Sequence, residues 1–312
     1  MVTGGAGFVG SHIVEALVNR GDKVLAYGSY TDPRFLKGLE EKIAIIKGDI
    51  LDPEMMIKVA RENRVQKIIH AAATGWRWGE IADASRILRV NVEGSINVYE
   101  IARKLSLERV VDISTTWVYG KTQYQPISED HPCHPTFPYT ISKLASEQVG
   151  MYYHASNGLD FVALRISSVY GPRLRPGTTL SFPWIPEALD GKIVRWRSGG
   201  DHECNFVHVK DVASGTLLAL DADRNAFKHR IFNIVAEKTP TFGEIAGTLR
   251  ELVPSVNVEF GPGIKEEWDT ATGQLSIERA SKEMGYAPKY DIRKGLADFI
   301  EWYRAKGYDW YR

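Results

Sequence analysis

The stretch TGGAGFVGSHIVEAL, residues 3–17, decides the fold. Its glycines at 4, 5, 7 and 10 satisfy both G-x-x-G-x-x-G and the shifted G-x-G-x-x-G, and an apolar spacing of helical period follows at once. Without a Cβ, Gly4 and Gly7 let the backbone turn and approach a pyrophosphate, and Gly10 lets the helix pack closely on the strand. The first-turn N–H groups of that helix, beginning with Phe8 and Val9, have no intrahelical acceptor and stand at the positive end of its dipole, which suits phosphate oxygens. A merely flexible glycine turn is the competing reading, and the strand-loop-helix context argues against it. Only Met1 and Val2 precede the loop, where an ordinary strand has about five residues, so either the chain start is trimmed or this strand is unusually short.

Working outward, KVLAY (23–27), IAIIKGD (43–49), KIIHAAA (67–73), RVVDIST (109–115) and DFVALRIS (160–167) read as strands, with helical periods between them. Strands rich in Val and Ile with helical crossovers predict an α/β fold: a doubly wound parallel sheet of the Rossmann kind, covered on both faces, with ligands at the carboxyl ends of its strands. Residues 1–167 are expected to form the dinucleotide-binding domain, with FVHVKD and RIFNIVA returning as strands from about 205–235. From 168 the chain breaks into Pro- and Gly-rich pieces such as YGPRLRPGTTLSFPWIP, so 168–312 is read as mainly a smaller substrate-binding lobe.

The 312 residues carry 39 basic and 39 acidic side chains without a long run of one sign, which gives no nucleic-acid or membrane-surface footprint. A small molecule is the expected partner. Cys133 and Cys204 make neither a disulfide framework nor a metal site, and no apolar run reaches the roughly 18 residues that span a bilayer, so a reducing, cytoplasmic setting is expected.

The strand ends supply candidate cofactor contacts. Where an acid would hold the adenine ribose, the chain has Gly28 and Ser29, then Thr31 and Arg34. Without that carboxylate nothing repels a 2′-phosphate, and Ser29 or Arg34 could bind one, which leans the choice toward NADP; alternatively Asp32 or a backbone group holds the ribose of NAD. Asp49 and Ile50 suit an adenine, through an acceptor for its amine and an apolar face for its ring, although an acidic turn before a helix capped by Asp52 would look similar. Ala71, Ala72 and Ala73 are small enough for a cofactor to lie against them, with Thr74 beyond, while His70 reads as a packed core histidine.

Farther on, FPYTISKLASEQ (137–148) sets Tyr139 and Lys143 one helical turn apart on one face. About one Y-x-x-x-K is expected by chance in such a chain, so the pair needs its context. That context is an ordered series: the glycine loop, GDI, HAAA, NVEGS from Asn91, STTWVYG, Y-x-x-x-K and LRISSVYGPR, then NFVHVKDVASGTLLAL and LSIERASKEMGYAPKYDIRKGLADFIEWY. The series resembles the extended short-chain dehydrogenase/reductase family, in its nucleotide-sugar epimerase and dehydratase branch, essentially end to end.

The resemblance implies that Tyr139 exchanges a proton with a substrate hydroxyl or carbonyl while hydride moves to or from a nicotinamide. A free phenol titrates near 10, so a neighbouring ammonium is needed to favour phenolate; Lys143 would supply it and also bond the nicotinamide ribose. Thr115, four before Tyr119, is the implied hydroxyl that orients the reacting oxygen, with Ser114 as its alternative, since neighbouring strand residues face opposite ways. Asn91 is carried over as a cofactor contact. The helical spacings of NVEGSINVYEIARKL and YTISKLASEQVGMYYHAS match helices that pair across a two-fold axis in the family, which implies a homodimer.

Departures narrow the activity. Family dehydratases resemble T-D-E where this chain has Thr115, Thr116 and Trp117, and a tryptophan cannot shuttle a proton, so dehydration is not expected. Ser168 and Cys204 stand where an asparagine and an arginine usually meet a diphosphate, and only Arg173, Arg175 or Arg195 could replace them. Trp76 and Trp78, with Trp117, could stack on a sugar or simply pack, and Arg77 could clamp a carboxylate. The expected activity is therefore NAD(P)-dependent oxidation or epimerisation of a sugar-like hydroxylated substrate lacking a nucleotide diphosphate. The alternatives are a nucleotide-sugar 4-epimerase and a non-catalytic cofactor-binding protein, the latter disfavoured because sensing needs no Thr115, Tyr139 and Lys143.

Overall fold

The computed structural model describes residues 1–29, 33–75, 83–174, 184–265 and 273–307. Thr31, Asp32, Trp76, Arg77, Trp78 and Arg175 lie outside them. Six strands come early: β1 (Val2–Thr3), β2 (Val24–Gly28), β3 (Ile43–Lys47), β4 (Lys67–His70), β5 (Arg109–Thr115) and β6 (Phe161–Ile166). β7 (Ser168–Tyr170), β8 (Val194–Trp196) and β9 (Phe206–His208) stand outside the main sheet, β10 (Ile231–Ile234) returns to it, and β11 (Val258–Phe260) pairs with β8. The main sheet has seven parallel strands in the order β10-β6-β5-β4-β1-β2-β3, with its switch point at β1 and β4. β1 is only two residues long, yet it lies mid-sheet, with Val2 registered on Ala26 of β2 and on Ile69 of β4.

Side-chain alternation explains the continuous apolar strands. Val24, Ala26, Ile69, Val111, Ile113, Val162 and Leu164 point to one face, where they meet α1 (Phe8–Arg20) and the later helix Val209–Asp221. Their neighbours Leu25, Tyr27, Ile68, Val110, Phe161 and Ala163 point to the other face. That face is covered by α2 (Pro53–Glu62), α4 (Gly94–Lys104) and α5 (Pro138–Asn157), with α3 (Ala84–Leu88) packed on α5. A π-helical turn, Arg89–Glu93, joins α3 to α4 without a break. Downstream follow α6 (Trp184–Leu189), α7 (Val209–Asp221), α8 (Phe242–Leu252), α9 (Glu278–Met284) and α10 (Ile292–Trp302). Trp184, Val194, Phe206, Phe242, Leu249, Leu296 and Phe299 form a second core beneath this later part of the chain.

One expected strand goes elsewhere. RIFNIVA supplies β10 on the free edge of β6, with Ile231 registered on Ala163, but FVH of FVHVKD pairs with Ser168–Tyr170 in a separate ribbon. Its three residues are buried against the second core and α7, so the sheet edge is left to β10. Among the described residues no helix is long and apolar enough to cross a membrane, and no cluster of three His, Cys, Asp or Glu could hold a metal.

Candidate active site

The carboxyl ends of β1 to β4 open on a cavity of about 810 Å3 lined by Gly4, Gly7, Gly28, Ser29, Asp49 and Ile50, among others. The strand β4 stops at His70, and Ala71, Ala72, Ala73 and Thr74 leave the sheet to form one wall. Gly4 has φ +67°, and a Cβ there would lie 2.8 Å from the Ala72 backbone. Gly10 packs on the loop itself, since its Cβ would fall 2.1 Å from the Gly4 carbonyl oxygen. Gly7 caps α1 without a side-chain cap, so the N–H groups of Phe8 and Val9 have no intrahelical acceptor. Asp52 caps α2 by accepting from the Met55 N–H, which leaves Asp49 to the cavity, where it accepts from the Leu51 N–H. A small-residue cradle, an open helix terminus, a carboxylate and the apolar Ile50 fit an adenine dinucleotide. Arg34 lies in the turn Pro33–Leu36 and is not among the described lining residues.

Sequence reasoning missed part of this wall. Leu51, Asp83, Ser85, Arg86, Arg89 and Val90 also line the cavity. The three-residue spacing of Arg86 and Arg89 was the available signal, because it puts both on one helical face.

Asn91 has a different role from the one expected. It is buried, its carbonyl accepts from the Thr74 N–H at 2.7 Å, and its amide donates to Thr74 O and Ser142 Oγ, both at 2.8 Å. With both amide donors taken within the protein, Asn91 fixes the Thr74 wall to α5. His70 is likewise structural, lying 2.6 Å from Thr3 Oγ1 and 3.0 Å from Ser95 Oγ.

The expected catalytic side chains lie where β5 ends and α5 begins. Ser114 donates to the Glu147 carboxylate, which also receives Arg165, so Ser114 belongs to the buried α5 face. Thr115 emerges at the strand end and accepts from the Trp117 N–H at 3.2 Å. The alternation therefore leaves Thr115 as the available hydroxyl. Tyr139 is partly buried in the first turn of α5. Lys143 is 1% exposed, and its Nζ lies 3.7 Å from Oδ1 of Asp112, an acid to which sequence reasoning gave no role. Burial, followed by the charge of Asp112, pushes the Tyr139 phenol up to about 12. The Lys143 ammonium is thus paired with a carboxylate of the sheet.

The expected substrate residues divide. Thr116 is buried and Trp117 half-buried in the turn Thr116–Tyr119. Ser168 and Cys204 are adjacent, with Sγ 4.0 Å from Oγ. Arg173 is committed elsewhere, donating to Phe35 O at 2.9 Å, to His12 and to Glu15. These bonds tie the segment after β7 to α1 and to the turn Pro33–Leu36, so Arg173, expected as a diphosphate ligand, has its donors committed within the protein. Arg195 is exposed and pairs with Glu259 at 2.8 Å.

Comparisons agree with this geometry. A putative UDP-glucose 4-epimerase of Methanocaldococcus jannaschii is 29% identical over 97% of both chains. The crystal structure of UDP-glucose 4-epimerase from Thermotoga maritima, solved with UDP-glucose, superposes with a TM-score of 0.88 at 26% identity, covering 97% of this chain and 98% of that one. DesIV, a dTDP-glucose 4,6-dehydratase from Streptomyces venezuelae solved with NAD, gives 0.85 at 29% identity over 100% of this chain and 98% of the other. Residues 1–235 match the NAD dependent epimerase/dehydratase family. The dinucleotide cradle, the ordered motifs and these likenesses converge: the chain belongs to that family, as an enzyme of the extended short-chain dehydrogenase/reductase type.

Proposed function

We propose that the protein is a nucleotide-sugar 4-epimerase using NAD. The observation that carries this reading is the turn Thr116–Tyr119, which follows Thr115 directly and holds no carboxylate where family dehydratases have two. The expectation of a substrate without a nucleotide diphosphate rested on Ser168 and Cys204. It gives way to its alternative, supported by the Thermotoga neighbour's UDP-glucose and by the Methanocaldococcus relative.

The cofactor reading is NAD. Gly28 admits either dinucleotide, but the described cavity wall does not include Arg34, and the Streptomyces neighbour holds NAD. Gly4, Gly7 and the first turn of α1 would hold the pyrophosphate, Asp49 and Ile50 the adenine. NAD, when bound there, would supply a reversible hydride acceptor. Tyr139 as phenolate takes the proton of the C4 hydroxyl as the C4–H electron pair leaves, and gives that proton back when the ketone is reduced. Thr115 orients the reacting oxygen, and Lys143 supplies positive charge to the phenolate and a donor to the nicotinamide ribose. No net oxidation results.

Assembly is read as a homodimer through α4 and α5. The outer face of α5 exposes Ile141 at 43% and Tyr152 at 62%, apolar surface suited to a second copy related by a two-fold axis.

The test incubates the protein and NAD with UDP-glucose, UDP-glucuronate, dTDP-glucose and free uronates, following sugar stereochemistry and nicotinamide absorbance together. A C4 epimer without accumulating NADH is expected. Steady cofactor reduction by a free sugar or sugar acid, with no epimer, would sink the reading. Fluorescence titration of both reduced cofactors should show tighter binding of NADH.

A further inference from the structure

Asp112 lies in the middle of β5, and none of its surface is exposed. Neither carboxylate oxygen has a hydrogen-bond partner among the described residues. Burying an unpaired carboxylate is costly, and such a group persists only where something charged offsets it. Among the described residues, these ionisable groups face it. From α5 come Lys143, Nζ 3.7 Å away, together with Glu147 and Tyr139. From α4 comes the phenol of Tyr99, which feels the Asp112 charge and is raised mainly by its own burial. From β4 comes His70, registered directly on Asp112 and neutral because burial and the Lys143 charge push it down to about 3. β6 places Ala163 in register, and its Arg165 is taken by Glu147, which also receives Ser114. Lys143 is therefore the one described cation within ion-pair distance of Asp112.

We propose that Asp112 is a positioning residue of the active centre: it holds the Lys143 ammonium at the sheet, so that carboxyl and phenol compete for one lysine charge. This inference deepens the proposed function and rests on its assignment of Tyr139 and Lys143. Two anions on a single buried ammonium leave a net negative charge in a medium that screens poorly, so ionisation of one disfavours ionisation of the other. With Asp112 ionised, Tyr139 keeps its proton and is an acid. With Asp112 protonated, Lys143 is released toward the phenol, and Tyr139 becomes the base that accepts the substrate proton. Burial and Lys143 act on the carboxyl in opposite directions, burial more strongly, and its titration is raised.

The experiment compares wild type, Asp112→Asn and Asp112→Val, the last being a β-branched residue of similar size suited to a strand. The tyrosinate absorbance of Tyr139 is read against pH as the difference between each protein and its counterpart also carrying Tyr139→Phe. Removing the carboxylate should bring the phenol down by at least about one pH unit, a tenfold change in its proton affinity. The acidic limb of kcat/KM should move down with it. The absorbance reading needs no substrate, so it holds even if no nucleotide sugar proves to be turned over, and failure of the proposed function is thereby told apart from failure of this inference. A folded variant whose tyrosinate titration is unmoved or raised would overturn the proposal. Loss of folding in both variants would also overturn it, because Asp112 would then be a structural counterion and no more.

Discussion

The Asn91 amide donates to the Ser142 hydroxyl at 2.8 Å, joining the π-helical turn to the helix that carries Tyr139 and Lys143. The same side chain holds both backbone groups of Thr74, so the dinucleotide wall and α5 share one fastener. Replacing Asn91 by Ala would remove three hydrogen bonds, one of them fully buried. A loss of about 2–5 kcal/mol is expected, taking about 1 kcal/mol or more for each bond broken. Urea melts with an unchanged m value would establish that the loss is one of native stability. A variant as stable as wild type would return Asn91 to the role of cofactor ligand.

Tyr139→Phe should reduce turnover by at least about a hundredfold, the usual share of a general acid-base group, and leave NADH affinity near that of wild type. Lys143→Ala should weaken both, because its ammonium serves phenol and ribose alike. Steady-state rates paired with fluorescence titration separate the two variants. Near-normal turnover in Tyr139→Phe would remove it from the chemistry.

Gly10→Ala tests the loop. Its new Cβ would meet the Gly4 carbonyl oxygen at 2.1 Å and the Gly5 Cα at 3.0 Å, and neither backbone can swing aside. A stability loss of about 1–3 kcal/mol is expected, together with at least tenfold weaker cofactor binding as the first turn of α1 moves off the phosphates. The control is Gly247→Ala in α8, where the added methyl meets only the tip of Arg250 at 4.0 Å. It should stabilise by about 0.5–1 kcal/mol through helix propensity.

Acid should weaken the protein before its carboxylates titrate. His70 is held down to about 3, against about 6.5 in the unfolded chain. Its folded value is depressed, so the stability that the neutral ring contributes is complete above about 6.5 and is lost as pH falls toward 3. Buried His12, beside Arg173, shifts in the same direction. Melting temperatures recorded between pH 7.5 and 4 should fall steadily, and His70→Gln should flatten that slope. An unchanged slope would mean that His70 does not govern it.

Tyr152→Glu places a charge on the exposed face of α5 without touching the core. Light scattering at micromolar concentration should find dimers for wild type and monomers for this variant. A monomeric wild type would refute the pairing.

Much of the sheet was readable because both its faces are buried. RVVDIST was expected over 109–115, and β5 spans Arg109–Thr115, since a fully covered strand admits apolar residues at nearly every position. Short segments carried less. FVH fits a sheet edge or a ribbon equally well, and its true partner, Ser168–Tyr170, is fixed by tertiary packing that no local pattern encodes. The site divides in the same way. The glycine loop and the Tyr139–Lys143 spacing are local geometry and could be read directly. Asn91 was carried over as a ligand by the resemblance and Arg173 was offered as one for its charge, but Thr74 and Ser142 in one case, and Phe35, His12 and Glu15 in the other, take their donors. Asp112 passed as an isolated acid in a strand because only the docking of α5 brings Lys143 over it.

The late arrival of β10 bears on how the chain must be made. A ribosome releases β6 long before Ile231–Ile234 exists, and in that interval an edge of apolar Phe161, Val162 and Leu164 has no neighbour. Arg109 is only partly satisfied then: it pairs with Asp160, but its guanidinium also donates to Ala219 O and Ala222 O, which are still to be synthesised. Nascent chains of this length are thus the species most prone to pair edge to edge and to need a chaperone. An expression fragment cut after Ile166 would carry the whole glycine loop and still be driven to aggregate, whereas one extended through Ile234 closes its own sheet.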